Sequence, residues 1–165
     1  MKNLVNAAIY QGVWFICVFG HNDLWWVGLL LVGGHFLLSS DPLTDLKTIL
    51  AVLTVGLMVD GLLKYIGLFS FSADRFPLPF WLMTIWIALA TTLHHSLRWF
   101  KHHLVYAAIF AAFCGPLAYW AGVRFGAATF NMPLWHALLI LSVIWACLFP
   151  AITQIARWLK PPEYT

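Results

Sequence analysis

Residues 48–69 read TILAVLTVGLMVDGLLKYIGLF, with Asp60 and Lys64 the only charges. At about 1.5 Å of rise per residue, such a run crosses a hydrocarbon layer roughly 30 Å thick. The rest of the chain agrees. Of 165 residues, 62% are hydrophobic and 9% charged, against about 25% charged in an ordinary soluble domain. With a mean hydropathy of +0.85, too little polar surface remains to cover a soluble domain of this length. The sequence is that of an all-α, polytopic membrane protein, one domain over residues 1–165.

Working outward, polar and proline punctuation cuts the chain into six expected transmembrane helices, at residues 4–20, 24–38, 48–69, 80–97, 104–122 and 133–150. Asp41-Pro42 is an N-cap followed by proline at the first helical position, and it opens the third helix. His21-Asn22-Asp23 reads as a tight turn between the first two. A signal peptide is the alternative for the N-terminus, but Asn6 and Gln11 interrupt its apolar region, so a retained first helix is expected. With the N-terminus inside, Lys2, Lys47, Arg98, Lys101, Arg157 and Lys160 face the cytoplasm, against Lys64, Arg75 and Arg124 outside. That asymmetry predicts N-in, C-in in a plasma membrane. No tandem or inverted repeat is evident.

The net charge of +3 comes from singly spread basic residues, so nucleic acid is not a partner. Cys17, Cys114 and Cys147 lie in apolar runs without a C-x-x-C pair, which predicts buried thiols and no disulfide. No serine-hydrolase elbow, zinc-protease helix or phosphate-binding loop is present, and no cofactor is expected.

Helical spacing collects polar stripes that should face protein rather than lipid. The first helix aligns Asn3, Asn6, Tyr10, Cys17 and His21, with Gln11 to one side; the fourth aligns Thr84, Ala88, Thr91, His95, Arg98 and His102; the sixth aligns His136, Ile140, Val143, Cys147, Pro150, Gln154 and Arg157. Asp60 falls near the bilayer centre, where an ionised carboxylate costs about 2.5–3.5 kcal/mol. Lys64, four residues on, is its expected ion-pair partner. Asp60, Lys64, Gln11, His136 and Arg124 together make a candidate polar cavity for a ligand. At the inner face, His35, His94, His95 and Arg98 form a second candidate group. The spacing of His94-His95 and His102-His103 matches no di-iron histidine box, so no metal is expected, although His35, Asp41 and Asp45 are the residues that could complete a ligand set. In the fifth helix Ala108, Ala111, Gly115, Ala118 and Gly122 form a small-residue seam suited to close packing or to an oligomer contact.

The strings Asp60-Gly61, Pro79-Phe80-Trp81-Leu82 through Ile85-Trp86, Thr92-Leu93-His94-His95-Ser96-Leu97, Gly115-Pro116-Leu117-Ala118-Tyr119 and Gly122-Val123-Arg124-Phe125-Gly126-Ala127 resemble a family of small bacterial inner-membrane proteins classed as a domain of unknown function. The resemblance spans nearly the whole chain and carries no catalytic residues to transfer. It implies a role with envelope lipid, since such proteins tend to be encoded beside lipid-modifying enzymes resembling cyclopropane-fatty-acid synthases. Handling or modification of membrane lipid in the polar cavity is therefore the leading expectation. A small proton-coupled transporter and a non-catalytic scaffold subunit docking through the seam are the alternatives.

Overall fold

The structure is a computed structural model and describes residues 2–37, 39–72 and 75–160. Among the described residues are five α-helices: α1 Lys2–Phe36, α2 Pro42–Tyr65, α3 Phe80–Thr92, α4 Leu104–Arg124 and α5 Leu134–Leu159. Two short strands, β1 Phe69–Phe71 and β2 Ala128–Phe130, and a 3-10 segment, Arg98–His102, accompany them. Four helices, α1, α2, α4 and α5, are long and apolar enough to cross a membrane.

Beside an apolar core, several polar side chains are buried while many large apolar ones are exposed. Asn6, His35, Asp45, Thr48, Asp60, Thr84, Thr91 and Thr153 are inside, while Leu30, Leu50, Met58, Val105, Phe113, Leu139 and Val143 cover the outside. An apolar belt of this extent suits hydrocarbon, not water, and polar groups facing one another inside is how helices associate in lipid.

The six separate helices expected from sequence are not found as such. The first two expected spans form the single run α1, interrupted at His21, whose backbone (φ 46°, ψ −135°) is non-helical. That residue reverses the chain: Gly28 sits beside Cys17 and Val13, Gly12 beside Leu31, and Asn6 hydrogen-bonds to His35. The arm 22–36 therefore runs back along the arm 2–20, and the turn expected at His21-Asn22-Asp23 is where it reverses. Leu38, the expected end of the second span, lies outside the described residues. The fourth expected span is also shorter than its apolar run. Helix α3 stops at Thr92 because the Thr91 and Thr92 hydroxyls donate to the carbonyls of Ala88 and Leu89, while Thr92's own carbonyl accepts from His95 and Leu97 as the chain turns. At 13 residues it is about 20 Å long, short of a bilayer. Helix α2 begins earlier than its apolar run, because the Asp41 carboxylate caps the Thr44 N–H at 3.2 Å and Pro42 occupies the first turn. Pro116 and Pro150 lie inside α4 and α5 without ending them.

A duplication appears that the sequence reading did not find. Helix α2 closes on Gly67 (φ 77°) and α4 on Gly126 (φ 80°), a left-handed conformation that favours glycine. The closing bonds match, Leu68 N–H to Leu63 O and Ala127 N–H to Gly122 O. Each helix then enters its strand. The strands pair antiparallel with Ser70 opposite Thr129 at the centre, and each leads to the next helix through a proline, Pro79 or Pro133. Gly56, Asp60, Gly67, Ser70, Phe71 and Trp86 are followed 59 positions later by Gly115, Tyr119, Gly126, Thr129, Phe130 and Trp145. The units α2-β1-α3 and α4-β2-α5 are thus related by a local pseudo-two-fold.

Candidate functional site

Three polar or concave regions are built on this frame. The first lies on the pseudo-two-fold. Trp86 and Trp145 stack at 5.5 Å with an interplanar angle of 9°. Behind each indole is a glycine, Gly56 behind Trp86 and Gly115 behind Trp145, so close that an added Cβ would overlap the ring. Asp60 is wholly buried and accepts from Trp86 Nε1 at 2.8 Å and from the Tyr119 hydroxyl at 2.6 Å, one donor per carboxylate oxygen. This corrects the expected Asp60–Lys64 ion pair. The Lys64 ammonium instead donates to the carbonyls of Arg75 at 2.9 Å and Pro77 at 3.4 Å, tying the α2 C-terminus to the loop before α3. An aromatic N–H and a phenol can approach from neighbouring helices, which a same-helix pair search does not consider.

The second region is a cavity of about 490 Å³ between the first arm of α1, α3, α4 and α5, within the roughly 300–1,000 Å³ of small-molecule sites. Its walls are mainly aliphatic and aromatic, with Trp14, Trp81, Trp86, Tyr119 and Trp145 prominent. Gln11, Cys114 and Leu117 line it and are also exposed. The cavity therefore opens between α1 and α4, and near one end Phe19 of α1 meets Phe125, just past α4, at 4.7 Å between ring centroids. Trp81 lines the cavity, and its indole N–H is itself buried, without an acceptor among the described residues.

This cavity differs from the polar one expected. Of its five proposed members only Gln11 lines it. Asp60 is sealed behind Trp86 and Tyr119, and His136 and Arg124 are exposed. The inward stripe expected on the last helix is likewise displaced, because Ala137, Leu141, Leu148, Ile152 and Thr153 turn inward while His136, Ile140, Val143, Cys147 and Arg157 are exposed. The stripe of Thr84, Ala88 and Thr91 does face inward. In the small-residue seam, Ala111, Gly115, Ala118 and Gly122 line the cavity. Cys17 is buried as expected, whereas Cys114 and Cys147 are exposed, and all three are free thiols.

The third region lies at the opposite end from the strands. Asp45, in the first turn of α2, accepts from Ser39 Oγ at 2.6 Å. Its carboxylate also meets His35 Nε2 at 3.2 Å and His95 Nε2 at 3.0 Å. Asp45 and His35 are each 2% exposed. Asn6 ties the cluster together: its Oδ1 accepts from the Ser96 N–H and Oγ–H, and its Nδ2 donates to Thr91 O and meets His35 Nδ1 at 3.2 Å. Sequence reading named His35 and His95 but gave Asn6 only a place in a stripe and Asp45 only a passing mention, because their convergence depends on the hairpin at His21.

His35, Asp45 and His95 present ligand atoms within 4.8 Å of one another, a spacing that could hold a metal ion. A metal-bound histidine donates its other ring N–H to an acceptor, and here the second shell has the opposite polarity. The backbone N–H of Ser96 and carbonyl of Thr91 fix the Asn6 amide, so His35 Nδ1 faces a donor and must accept. The proton then sits on His35 Nε2, where it bonds to Asp45 and occupies the lone pair a metal would need. The donor set fits a hydrogen-bonded cluster.

His94 takes a separate path. Its Nε2 lies 2.8 Å from Thr48 Oγ1, which in turn donates to Thr44 O, and its Nδ1 lies 3.0 Å from Lys101 Nζ. Burial, reinforced by the Lys101 charge, pushes His94 down to about 4, so at neutral pH its Nδ1 accepts from the lysine. Arg98 is exposed beside this group.

Four helices long and apolar enough to cross a membrane, with an exposed apolar belt around them, make this a helical membrane protein. A family model described as a protein of unknown function (DUF2878) matches residues 3–151, and the chain belongs to that family. Searches of curated proteins and of solved structures gave no match.

Proposed function

We propose that this protein handles membrane lipid by admitting a hydrocarbon chain sideways from the bilayer into the cavity between α1 and α4. The carrying observation is the cavity itself: large, apolar, aromatic-walled and open at the exposed residues Gln11, Cys114 and Leu117. In this reading the headgroup does not meet Asp60, whose donors Trp86 and Tyr119 stand between it and the cavity.

The same reading places the chain in a bacterial inner membrane as three hairpins with both termini cytoplasmic, α3 being a short member that enters the layer without spanning it alone. Lys2 and Lys160 lining one pocket supports termini on one side, and the basic residues around it suit the cytoplasmic face. A scaffold role through the α4 seam is less well supported, because the seam is engaged by Trp145 and the cavity. A proton-coupled transporter is the second reading, favoured by the internal duplication, which some transporters share, and by Asp60 beside its axis.

Purification into lipid nanodiscs followed by native mass spectrometry tests the lipid reading. An added Cβ at Gly122 meets nothing within 4 Å, so Gly122→Leu should fill the cavity without forcing helices apart. The wild type should retain lipid after detergent exchange, and Gly122→Leu or Ala118→Phe should retain at least about fivefold less. Equal retention by folded variants would refute the proposal.

A further inference from the structure

At the end opposite the strands is a second cavity, about 560 Å³, where the N-terminal end of α1, the start of α2, the segment after α3 and the end of α5 meet. Lys2, Arg98, Lys101 and Lys160 line it, together with two carboxylates, Asp41 and Asp45. Both carboxylates are already engaged. Asp41 caps Thr44 and pairs with Lys160 at 3.4 Å, and Asp45 is held by Ser39, His35 and His95. Four basic side chains thus face two engaged but still negative carboxylates, one of which already pairs with Lys160, and the pocket keeps a net excess of positive charge.

The site is also built. Lys101 is half-buried, and its ammonium is held by neutral His94, which Thr48 anchors to the α2 backbone. Burial first, and then the nearby charges of Lys160 and Arg98, push Lys101 below its ordinary range, as expected of an ammonium drawn partly out of water beside other cations. Arg98 makes no ion pair among the described residues, so its guanidinium is available for the bidentate contacts that it forms with phosphate oxygens. His95, partly exposed and oriented by Asp45, adds a ring at the wall.

We infer that this pocket binds a phosphomonoester-class dianion, with Lys101 and Arg98 gripping its oxygens. The group could sit on a membrane lipid or on a soluble ligand. The inference stands apart from the lipid-chain reading, since it concerns a different cavity and needs no occupant in the first.

The test uses the full chain in nanodiscs, with thermal unfolding as the readout. One arm compares discs containing phosphatidic acid with discs containing the same charge density of phosphatidylglycerol. The other titrates inorganic phosphate into phosphatidylcholine discs against chloride at matched ionic strength. Stabilisation by phosphatidic acid over phosphatidylglycerol assigns a lipid headgroup, and stabilisation by phosphate over chloride assigns a soluble ligand; either supports the site. In Arg98→Gln and Lys101→Gln the apparent affinity of the effective anion should fall at least tenfold. Arg98→Gln, at an exposed position without an ion pair, guards against loss of fold. If phosphatidic acid matches phosphatidylglycerol and phosphate matches chloride, or if both variants bind as the wild type does, the basic residues serve only the surface potential of the membrane and the inference fails.

Discussion

Asn6 decides what the histidine cluster can do. Its amide is polarised by two backbone groups, the Ser96 N–H and the Thr91 carbonyl, so the side chain offers His35 a donor. Exchanging that donor for an acceptor should reverse the chemistry. Asn6→Asp would let His35 carry its proton on Nδ1 and free Nε2, completing a two-histidine, one-carboxylate set of the kind that binds ferrous iron. Metal titration should therefore show wild-type protein without a stoichiometric site and Asn6→Asp with ferrous or zinc affinity at least about tenfold greater, the size of typical second-shell effects. Tight metal binding by the wild type, abolished by Asp45→Asn, would show that the assigned tautomer is wrong. Sequence alone could nominate His35 and His95, since polar residues in apolar helices stand out. It could not supply the tautomer, which rests on backbone atoms of residues 85 and 90 positions away from Asn6.

At the scale of elements, the two duplicated units are joined by the strand pair, by the Asp60–Tyr119 hydrogen bond and by the stack Gly56, Trp86, Trp145, Gly115. Both glycines are present because the indole occupies the space of a side chain, not because of their backbone angles. Gly56→Ala and Gly115→Ala should each destabilise by about 1–3 kcal/mol, the usual cost of overpacking a filled interior. Gly61→Ala, where an added Cβ meets nothing within 4 Å, should be close to neutral. Denaturation of the three variants in one detergent checks this ordering, and a Gly61→Ala loss equal to the others would contradict the stack. The individual helices were largely legible because apolar length and the Asp41-Pro42 cap are local signals. Their ends and partners were less so. The helix α3 stop depends on threonine hydroxyls turned back onto carbonyls, and the reversal in α1 depends on the single residue His21. The duplication was present in the letters, as glycines and tryptophans at one fixed offset, but Asp60 matching Tyr119 hides it from a search for like residues. The two residues are instead joined by a hydrogen bond across the pseudo-axis.

The whole molecule presents two kinds of concavity, apolar between α1 and α4 and basic at the end away from the strands. They approach one another along the chain, where Leu97 lines the first and Arg98 the second. A polar cavity around Asp60 was the natural reading of composition, because a charge in hydrocarbon asks for a ligand or partner. The fold answers with Trp86 and Tyr119 and leaves the open space to apolar side chains. The central claim is that a lipid chain enters this space, and site-resolved photo-crosslinking tests it most directly. A phospholipid bearing a diazirine in its acyl chain, reconstituted with the protein and mapped by peptide mass spectrometry, should label the inward-facing Leu82, Leu89 and Ala118 as well as the outer belt. Labelling of the inner residues should disappear in Gly122→Leu. Adducts confined to outward-facing residues such as Leu50, Met58, Leu139 and Val143 would contradict the account.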